Sequence, residues 1–494
     1  MTHFDLIVIG SGPGGFSAAM RAVDYGLHVC IVEAGHLGGA GIMHGALTSK
    51  TMYELSQDYA VAARVDRGYR VASLAVDFNE VKKTVIRAAK EKQYQMLSQI
   101  ETFSSERSSK GLVTLVHSYA TFEDLHTVSV KTDHGTRKLT AKNFIIATGA
   151  RPRTIPGLEV DGHRIITSEH ILDLAKFPER MLIIGSGIIG CEFATIFSNF
   201  KQTEVHLLDR ANRVLPAEDD DVGNFVARNL EDNGVIVHHT AHLRTIHKHP
   251  THLEIVLDYD DGHSKVIEVD VALVAIGRVP NTDNLGLENI GVQVEKNGII
   301  ATKDDGMLFD KDGNCHIYAV GDIAGQTQLY SVAELQGRQA VEKIADTPSH
   351  PLDYSNMSTL MFFRPEVAAV GANEKTLRAK NIPHKVAYYS NALVNRTVAM
   401  RSTNGFVKII AGTDNRILGM RAAGPQASAF IVSVAHLINQ GQSLQDVLKI
   451  FYPHPSVAEG IQECIRVLSG KSIYKPEAFP DLISLREWNP EHGL

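Results

Sequence analysis

Short apolar runs alternate with amphipathic stretches through the first two thirds of the chain, which predicts strands alternating with helices in parallel α/β sheets. Two stretches begin this pattern anew. Leu6 to Glu33 has the pattern of an apolar strand, a glycine-rich turn, an alanine-rich helix and a second strand that ends in an acid, and Met181 to Asp209 repeats that order. The sequence therefore predicts two units of the same strand-helix-strand construction.

The remainder of the chain shows other patterns. From about Phe78 to Phe103 apolar positions recur at helical spacing without Gly or Pro, which predicts one long helix. After Pro351 the pattern changes to strands separated by turns and then to helices, which predicts a separate α+β domain. The last twenty residues carry three prolines and the only tryptophan, and an irregular surface tail is expected there. The segments predicted after Pro351 are strands at Val367 to Val370, Phe406 to Ile410 and Ile417 to Ala423, and helices at Ser428 to Asn439 and Val457 to Leu468.

Composition and charge argue against two classes of function, nucleic-acid binding and membrane insertion. The 494 residues suffice for several domains. The net charge is -7 with Lys and Arg scattered, which gives no electrostatic footprint for nucleic acid or an anionic membrane. No apolar run approaches the roughly 18 residues of a membrane span, and the chain enters an apolar strand at Leu6 without a basic leader. We expect a cytoplasmic protein that neither binds nucleic acid nor inserts into a membrane.

Each of the two units carries a G-x-G-x-x-G motif between its strand and its helix. In the first unit, Gly10 permits a tight turn, Gly12 lets the backbone approach a pyrophosphate and Gly15 lets helix and strand pack closely. The helix N-terminus attracts the negative charge, and Glu33 would accept hydrogen bonds from an adenosine ribose. Two nucleotide sites in one chain indicate a donor and an acceptor, a flavin and a nicotinamide. The predicted cofactor residues of these motifs are Gly10, Gly12, Gly14, Gly15 and Glu33, and Gly185, Gly187, Gly190 and Asp209.

Cysteine and histidine usage gives no sign of a metal site. Cys30, Cys191, Cys315 and Cys464 are far apart, without redox or metal-ligand spacing, and we expect them to be small buried residues. A histidine-rich stretch lies on short predicted strands and a turn, where side chains alternate between faces. We therefore expect no bound metal at its members, His238, His239, His242, His247, His249 and His252.

Three further motifs complete an ordered set: Ile145 to Ala150, Ala275 to Asn281 and Ile317 to Asp322. With them the chain resembles, from about Phe4 to Ser472, the pyridine nucleotide-disulfide oxidoreductases, most closely dihydrolipoamide dehydrogenase and the soluble pyridine nucleotide transhydrogenases. The resemblance implies an α/β fold with two Rossmann-like domains, for FAD and NAD, and a C-terminal α+β dimerisation domain in a homodimer. The implied boundaries are 1–150 with 283–350 for the FAD domain, 151–282 for the NAD domain, 351–473 for the dimerisation domain and 474–494 for the tail.

The resemblance also implies roles for residues near the cofactors. FAD would lie on the first unit with Asp322 bonding its ribityl chain, and Lys50 would lie beside the reactive flavin nitrogen, paired with Glu192. A fixed ammonium there stabilises the negative charge of the reduced ring. On the second unit, the Asp209 carboxylate favours NAD over NADP by repelling a 2′-phosphate, although Arg210 and Arg213 follow and could clamp one. The other implied cofactor residues are Thr148, Gly149, Gly277 and Gly321.

His454 and Glu459 match a His-Pro-x-x-x-Glu pattern near the C-terminus. In disulfide-reducing members this imidazole reaches across the dimer interface and acts as acid and base for a dithiol. Two interpretations remain here: the pair serves protons to a different acceptor, or it is an interface remnant held by hydrogen bonding.

The segment Gly38 to Lys50 contains no cysteine, and the positions of the Cys-x4-Cys pair of disulfide-reducing members are Gly41 and Ala46. Similarity alone would label the chain a dihydrolipoamide dehydrogenase, yet that chemistry needs a thiol pair. We expect an FAD-dependent NAD(P)H oxidoreductase in which reduced flavin passes electrons directly to a diffusible acceptor such as a quinone, a second nicotinamide, oxygen or a dye-like oxidant. His44 would be a proton donor to that acceptor or simply fill the space left by the thiols. The alternatives are a soluble pyridine nucleotide transhydrogenase and a non-catalytic flavin-binding scaffold or redox sensor.

Overall fold

The computed structural model describes residues 2–105, 110–133, 135–302, 306–311, 315–325 and 327–491. The chain forms two compact units, each made of two stretches of sequence. The first unit comprises Met1–Phe177 and Leu273–Leu352, and the second comprises Pro178–Ala272 and Asp353–Leu494.

The first unit is built on an eight-stranded sheet with a parallel centre. Five parallel strands lie in the spatial order Cys315–Ala319, Gly135–Ile146, Thr2–Ile9, His28–Glu33 and Leu112–His117. The run Leu6 to Ile9 is almost fully buried, as expected of a parallel strand covered on both faces. The other strands of this unit are Ala120–Asp124, Thr127–Thr132, Ala150–Pro152, Ile165–Thr167, Arg278–Pro280 and Met307–Lys311.

The helices of the first unit follow the sequence pattern. The predicted long helix is confirmed at Phe78–Thr102, where Asp77 caps the N-terminus by accepting from the N–H groups of Asn79 and Glu80. Its buried face includes Val85 and Met96. The other helices are Pro13–Asp24, Ala46–Ala62 and Tyr330–Ile344, with a π-helical turn at Ala40–His44 and 3-10 turns at Ser168–Asp173, Leu287–Ile290 and Gly321–Ala324.

The second unit combines a parallel sheet with two antiparallel sheets. Arg180–Ile184, Glu204–Leu208 and Ile236–His238 are parallel, and Ala241–Lys248 and Leu253–Tyr259 form a three-stranded antiparallel sheet with Ser264–Val269. A six-stranded antiparallel sheet follows in the spatial order Ser358–Met361, Val367–Gly371, Ile417–Ala423, Phe406–Gly412, His384–Ser390 and Ile483–Trp488. The helices of this unit are Ile188–Phe200, Asp220–Asp232, Glu374–Ala379, Asn395–Ala399, Ala427–Asn439, Leu444–Val447 and Glu459–Leu468. Its 3-10 turns are Tyr354–Asn356, Asn391–Leu393 and Pro476–Ala478. Strand Val271–Val274 crosses the sequence boundary between the two units.

The strands and helices predicted after Pro351 are confirmed, but the prediction of an irregular tail is wrong. Ile483–Trp488 is a strand that pairs antiparallel with His384–Ser390 along six residue pairs. The Trp488 ring stacks on His384, with ring centroids 5.4 Å apart. The three prolines that suggested a tail lie outside this strand, at positions 476, 480 and 490.

Three cysteines are buried, as predicted: Cys30, Cys191 and Cys464. Burial raises the pKa of the Cys30 thiol to about 12 and also raises the pKa values of Cys191 and Cys464. The side chain of Cys315 lies outside the described part of the chain. Among the described residues, no helix combines the length and the apolar composition that crossing a membrane requires.

Candidate functional site

The first glycine loop contains two glycines that packing requires and one that faces open space. Gly10 has a φ of +100°, and a Cβ atom there would lie 2.4 Å from the carbonyl oxygen of Ala147. A Cβ on Gly15 would lie 2.0 Å from the carbonyl oxygen of Gly10. A Cβ on Gly12 would meet nothing within 4 Å. Gly12 therefore stands before an open space at the N-terminus of helix Pro13–Asp24, which no side chain caps.

The second loop repeats this geometry. Gly185 has a φ of +106°, and a Cβ on Gly190 would lie 1.9 Å from the carbonyl oxygen of Gly185. Gly187 again faces open space, with φ and ψ of -71° and -175° against -62° and -176° at Gly12. The two loops thus present the same backbone to a ligand.

In each unit, the acidic residue at the end of the second strand accepts hydrogen bonds from the glycine loop. Glu33 Oε2 accepts from the backbone N–H of Ser11 at 2.7 Å and from its hydroxyl at 2.5 Å, and Oε1 accepts from the Gly35 N–H at 2.7 Å. Ser11 was missed by the sequence analysis, although a serine follows the first glycine in both motifs.

Asp209 does the same in the second unit. Its Oδ2 accepts from the backbone N–H and the hydroxyl of Ser186 at 2.7 and 2.6 Å, and Oδ1 accepts from the Ala211 N–H at 2.8 Å. Each unit thus offers an uncapped helix N-terminus, an open glycine and a fixed carboxylate beside it. That donor set fits the pyrophosphate and ribose of a dinucleotide.

The motifs around Thr148 and Asp322 meet in the first unit. Thr148 Oγ1 donates to the Asn281 carbonyl at 2.8 Å, and Asn281 Nδ2 donates to the Thr148 carbonyl at 2.9 Å. The Arg278 guanidinium lies 3.8 Å from the Asp322 carboxylate. Burial raises the pKa of Asp322, and the nearby Arg278 charge opposes that rise. Three predicted cofactor residues here have positive φ: Gly149, Gly277 and Gly321.

The cysteine-free segment runs along the first glycine loop. The Gly38 N–H donates to Ser11 Oγ at 3.1 Å, and a Cβ on Gly39 would lie 3.3 Å from the Gly12 Cα. A π-helical turn, Ala40–His44, then leads into helix Ala46–Ala62, which carries Lys50. Ser11 therefore joins Glu33, the glycine loop and this segment in one hydrogen-bonded group.

Lys50 and Glu192 lie in different units, so their pairing stays a prediction. Lys50 is half-buried, and its Nζ donates to Ser49 Oγ at 3.3 Å. Glu192 is buried in helix Ile188–Phe200 and accepts from the Phe362 N–H at 3.2 Å. His44 is half-buried with its ring 5.4 Å from that of His36, and burial lowers its pKa.

His454 and Glu459 are joined within the chain. His454 Nδ1 lies 2.8 Å from Glu459 Oε1, and Glu459 Oε2 accepts from the Ser456 N–H at 2.8 Å. The His454 side chain is 60% exposed, so its ring is oriented by the carboxylate and open to a partner. This arrangement suits an imidazole that holds and passes a proton.

The histidine-rich stretch does not gather around one point in the described structure. His238 bonds to His206 and Tyr259, His242 bonds to Asp260, and His249 stacks on His252. A carboxylate cluster lies elsewhere, formed by Asp219, Asp221 and Glu374. Its centre is taken by the buried Lys408 ammonium, at 2.8, 2.7 and 3.0 Å from these three carboxylates.

Comparison with known proteins adds independent information. Residues 4–337 match the family described as pyridine nucleotide-disulphide oxidoreductase, and residues 357–465 match the dimerisation domain of that family. A dihydrolipoyl dehydrogenase of Zymomonas mobilis is 31% identical over 477 residues, covering 96% of this chain and 99% of the relative. One from Bacillus subtilis is 30% identical over 478 residues, covering 95% and 97%.

Two solved structures share the fold. LpdA from Mycobacterium tuberculosis superimposes with a TM-score of 0.84 at 24% identity, over 95% of this chain and all of that one. The Cu(II) complex of RclA, an HOCl-induced flavoprotein disulfide reductase from Escherichia coli, gives a TM-score of 0.82 at 23% identity, with 95% and 100% coverage. These likenesses confirm the predicted α/β fold, and the family matches above confirm the nucleotide-binding domains and the C-terminal dimerisation domain.

Proposed function

The chain belongs to the pyridine nucleotide-disulphide oxidoreductase family, an enzyme family that uses FAD and NAD(H), and we propose that it passes electrons from NADH to a diffusible acceptor without a redox disulfide. The single observation that carries this proposal is the absence of cysteine between Gly38 and Lys50. Thiol-disulfide exchange needs a thiolate that can reach a partner sulfur. Cys30, Cys191 and Cys464 are buried with raised pKa values, which makes them unsuited to replace the missing pair.

FAD, when bound, accepts a hydride from NADH and releases the two electrons to a second substrate. The open glycines Gly12 and Gly187 would hold the two pyrophosphates, and Glu33 and Asp209 the two adenosine riboses. The Lys50 ammonium would face the flavin and stabilise negative charge on the ring, with Glu192 keeping the ammonium oriented. The domain boundaries given above, at residues 150, 282, 350 and 473, remain part of this proposal.

A cavity of about 360 Å³ lies beside the cysteine-free segment and is large enough for a small acceptor. Gly38 and Ile42 of the segment form one side, and charged side chains accompany an apolar lining. A mixed surface of this kind suits a compact molecule with one apolar face and polar edges, such as a quinone. The remaining lining residues are Pro13, Phe16, Ser17, Met20, Arg21, Asp24, Lys92, Met96, Gln99, Tyr330, Glu334 and Arg338.

His454 and Glu459 would supply protons during acceptor reduction, from the partner subunit of a homodimer. Their hydrogen bond and the exposure of the His454 ring support this role. The match of residues 357–465 to a dimerisation domain supports the assembly. In the alternative, the pair is retained for the interface alone.

Anaerobic reduction of the purified flavoprotein with dithionite tests the proposal. We expect two electrons per FAD and no stable long-wavelength charge-transfer band, since no thiolate is available to interact with oxidised flavin. NADH should then support steady reduction of quinones, while dihydrolipoamide should not be turned over. Uptake of four electrons, or robust dihydrolipoamide-dependent NAD reduction, would overturn the proposal. Adding a thionicotinamide nucleotide as acceptor tests the transhydrogenase alternative in the same assay.

A further inference from the structure

We infer that the ring of Tyr330 excludes a thiol side chain at position 41. The inference rests on the proposed function, because position 41 matters as the place where the resemblance puts the first cysteine of the pair. It adds a physical reason why this chain does not carry that cysteine.

The space around Gly41 leads to this conclusion. A Cβ built on Gly41 would lie 3.0 Å from both Cδ2 and Cε2 of Tyr330 and 2.9 Å from Cγ of Pro13. Carbon atoms in comfortable contact are about 3.5 to 4.0 Å apart, so a side chain here displaces a neighbour. The backbone of Gly41 is outside the positive-φ region, unlike that of Gly38 and Gly39. Position 41 is therefore closed to larger residues by its neighbours rather than by its own conformation.

Tyr330 lies beside position 41, with 43% of its surface exposed. It is the first residue of helix Tyr330–Ile344, and its ring forms one wall of the cavity beside the segment. Burial raises the pKa of its hydroxyl, and the Glu334 carboxylate, one turn along the helix, adds to the rise. The phenol therefore remains neutral at physiological pH, and its ring packs as an apolar surface against Gly41.

Position 46 offers no such obstacle. Ala46 is exposed and begins helix Ala46–Ala62, so a thiol there has room. Position 41 lies within the π-helical turn Ala40–His44, and position 46 begins the next helix directly after Gly45. A disulfide between positions 41 and 46 is therefore obstructed only at position 41, by Tyr330 and Pro13.

Four variants of the full-length flavoprotein test the inference. All carry Gly41→Cys and Ala46→Cys; one has no further change, and the others add Tyr330→Ala, Tyr330→Phe or Pro13→Ala. In air, two juxtaposed thiols lose two electrons and two protons to oxygen and form a disulfide. Anaerobic dithionite then returns two electrons and two protons to it, in addition to the two electrons taken by FAD. FAD content and unfolding temperature establish that each variant is folded.

We expect four electrons per FAD only in the variant with Tyr330→Ala. The double variant and the Tyr330→Phe variant should take two, since both keep the ring. Four electrons in either ring-bearing variant would overturn the inference. Uptake of two electrons by the Tyr330→Ala variant would also overturn the inference, whatever the Pro13→Ala variant takes up. The unmodified protein is titrated separately, and four electrons there would overturn the proposed function but leave the comparison among variants intact.

Discussion

The Nδ1 atom of His206 lies 2.9 Å from Nε2 of His238, and both imidazoles are almost completely buried. The bonding continues at each end, from His238 Nδ1 to the Tyr259 hydroxyl at 2.6 Å and from His206 Nε2 to Glu204 at 3.1 Å. One ring nitrogen of the close pair must carry the hydrogen and the other must accept it, so the arrangement requires at least one neutral imidazole.

This pair should make the protein less stable in mild acid. Burial lowers the pKa of His238 to about 4 from an ordinary 6.5, and the nearby His206 and Lys265 charges act in the same direction. The unfolded chain therefore binds a proton more readily than the folded chain between these two values. Stability is fully present above about pH 6.5 and falls as the pH drops toward 4. Urea unfolding at pH 7.5 and 5 should show a smaller loss in His238→Gln than in the unmodified protein. His242→Gln, on an exposed histidine, should leave the loss unchanged, and an equal loss in all three proteins would refute the assignment.

Alanine substitutions at Gly190 and Gly187 of the second loop should have different effects. At Gly190 a Cβ would clash with the Gly185 carbonyl at 1.9 Å, so Gly190→Ala should cost about 3 kcal/mol or more of folding free energy. At Gly187 the Cβ enters open space, so Gly187→Ala should fold with little change and raise KM for NADH by about tenfold or more. Thermal unfolding and steady-state kinetics measure both. A normal KM in a folded Gly187→Ala variant would argue against a pyrophosphate at that glycine.

Asp209 should make NADH the preferred reductant. A charged hydrogen bond to the ribose contributes about 1.5 to 3 kcal/mol, roughly tenfold to over a hundredfold in kcat/KM. Asp209→Asn should therefore reduce the ratio of NADH to NADPH rates of flavin reduction by about tenfold or more. Ser186→Ala is the control, because it loosens the same loop while leaving the carboxylate charge in place. Stopped-flow measurements in which both variants lose the preference equally would assign the effect to loop geometry instead of charge.

The buried ammonium of Lys408 should be essential for the second unit. Its three carboxylate partners hold the pKa of Lys408 high against the lowering effect of burial. Lys408→Met leaves those carboxylates facing one another with Arg486 and Arg378 at their edge, and breaking such a buried group costs about 3 to 5 kcal/mol. Lys449→Met removes an exposed pair with Asp446 and should cost less than about 1 kcal/mol. Millimolar calcium should restore part of the stability of Lys408→Met alone, since Asp219, Asp221 and Glu374 could then hold a cation.

Local patterns predicted the elements whose own residues determine them. The two glycine loops, the long helix after Asp77 and the helices near the C-terminus were predicted because the spacing that determines them lies within each segment. The last strand was missed because Ile483–Trp488 is an edge strand, and its conformation is decided by the partner His384–Ser390 rather than by propensity. The bond from Ser11 to Glu33 and the ring of Tyr330 over Gly41 were also beyond local reasoning. In both cases the two residues are brought together only by the tertiary fold.

The edge strand Ile483–Trp488 has a consequence for synthesis of the protein. Domains generally fold in order as the ribosome delivers them, at about 5 to 20 residues per second. The first unit has all its residues once Leu352 has been made, whereas the second unit lacks one strand of its antiparallel sheet until Trp488 emerges. Until then the outer edge of His384–Ser390 is a row of unpaired backbone groups, open to strands of other nascent chains. A premature stop between residues 352 and 483 therefore leaves a complete first unit and a second unit whose sheet has an exposed, unpaired edge.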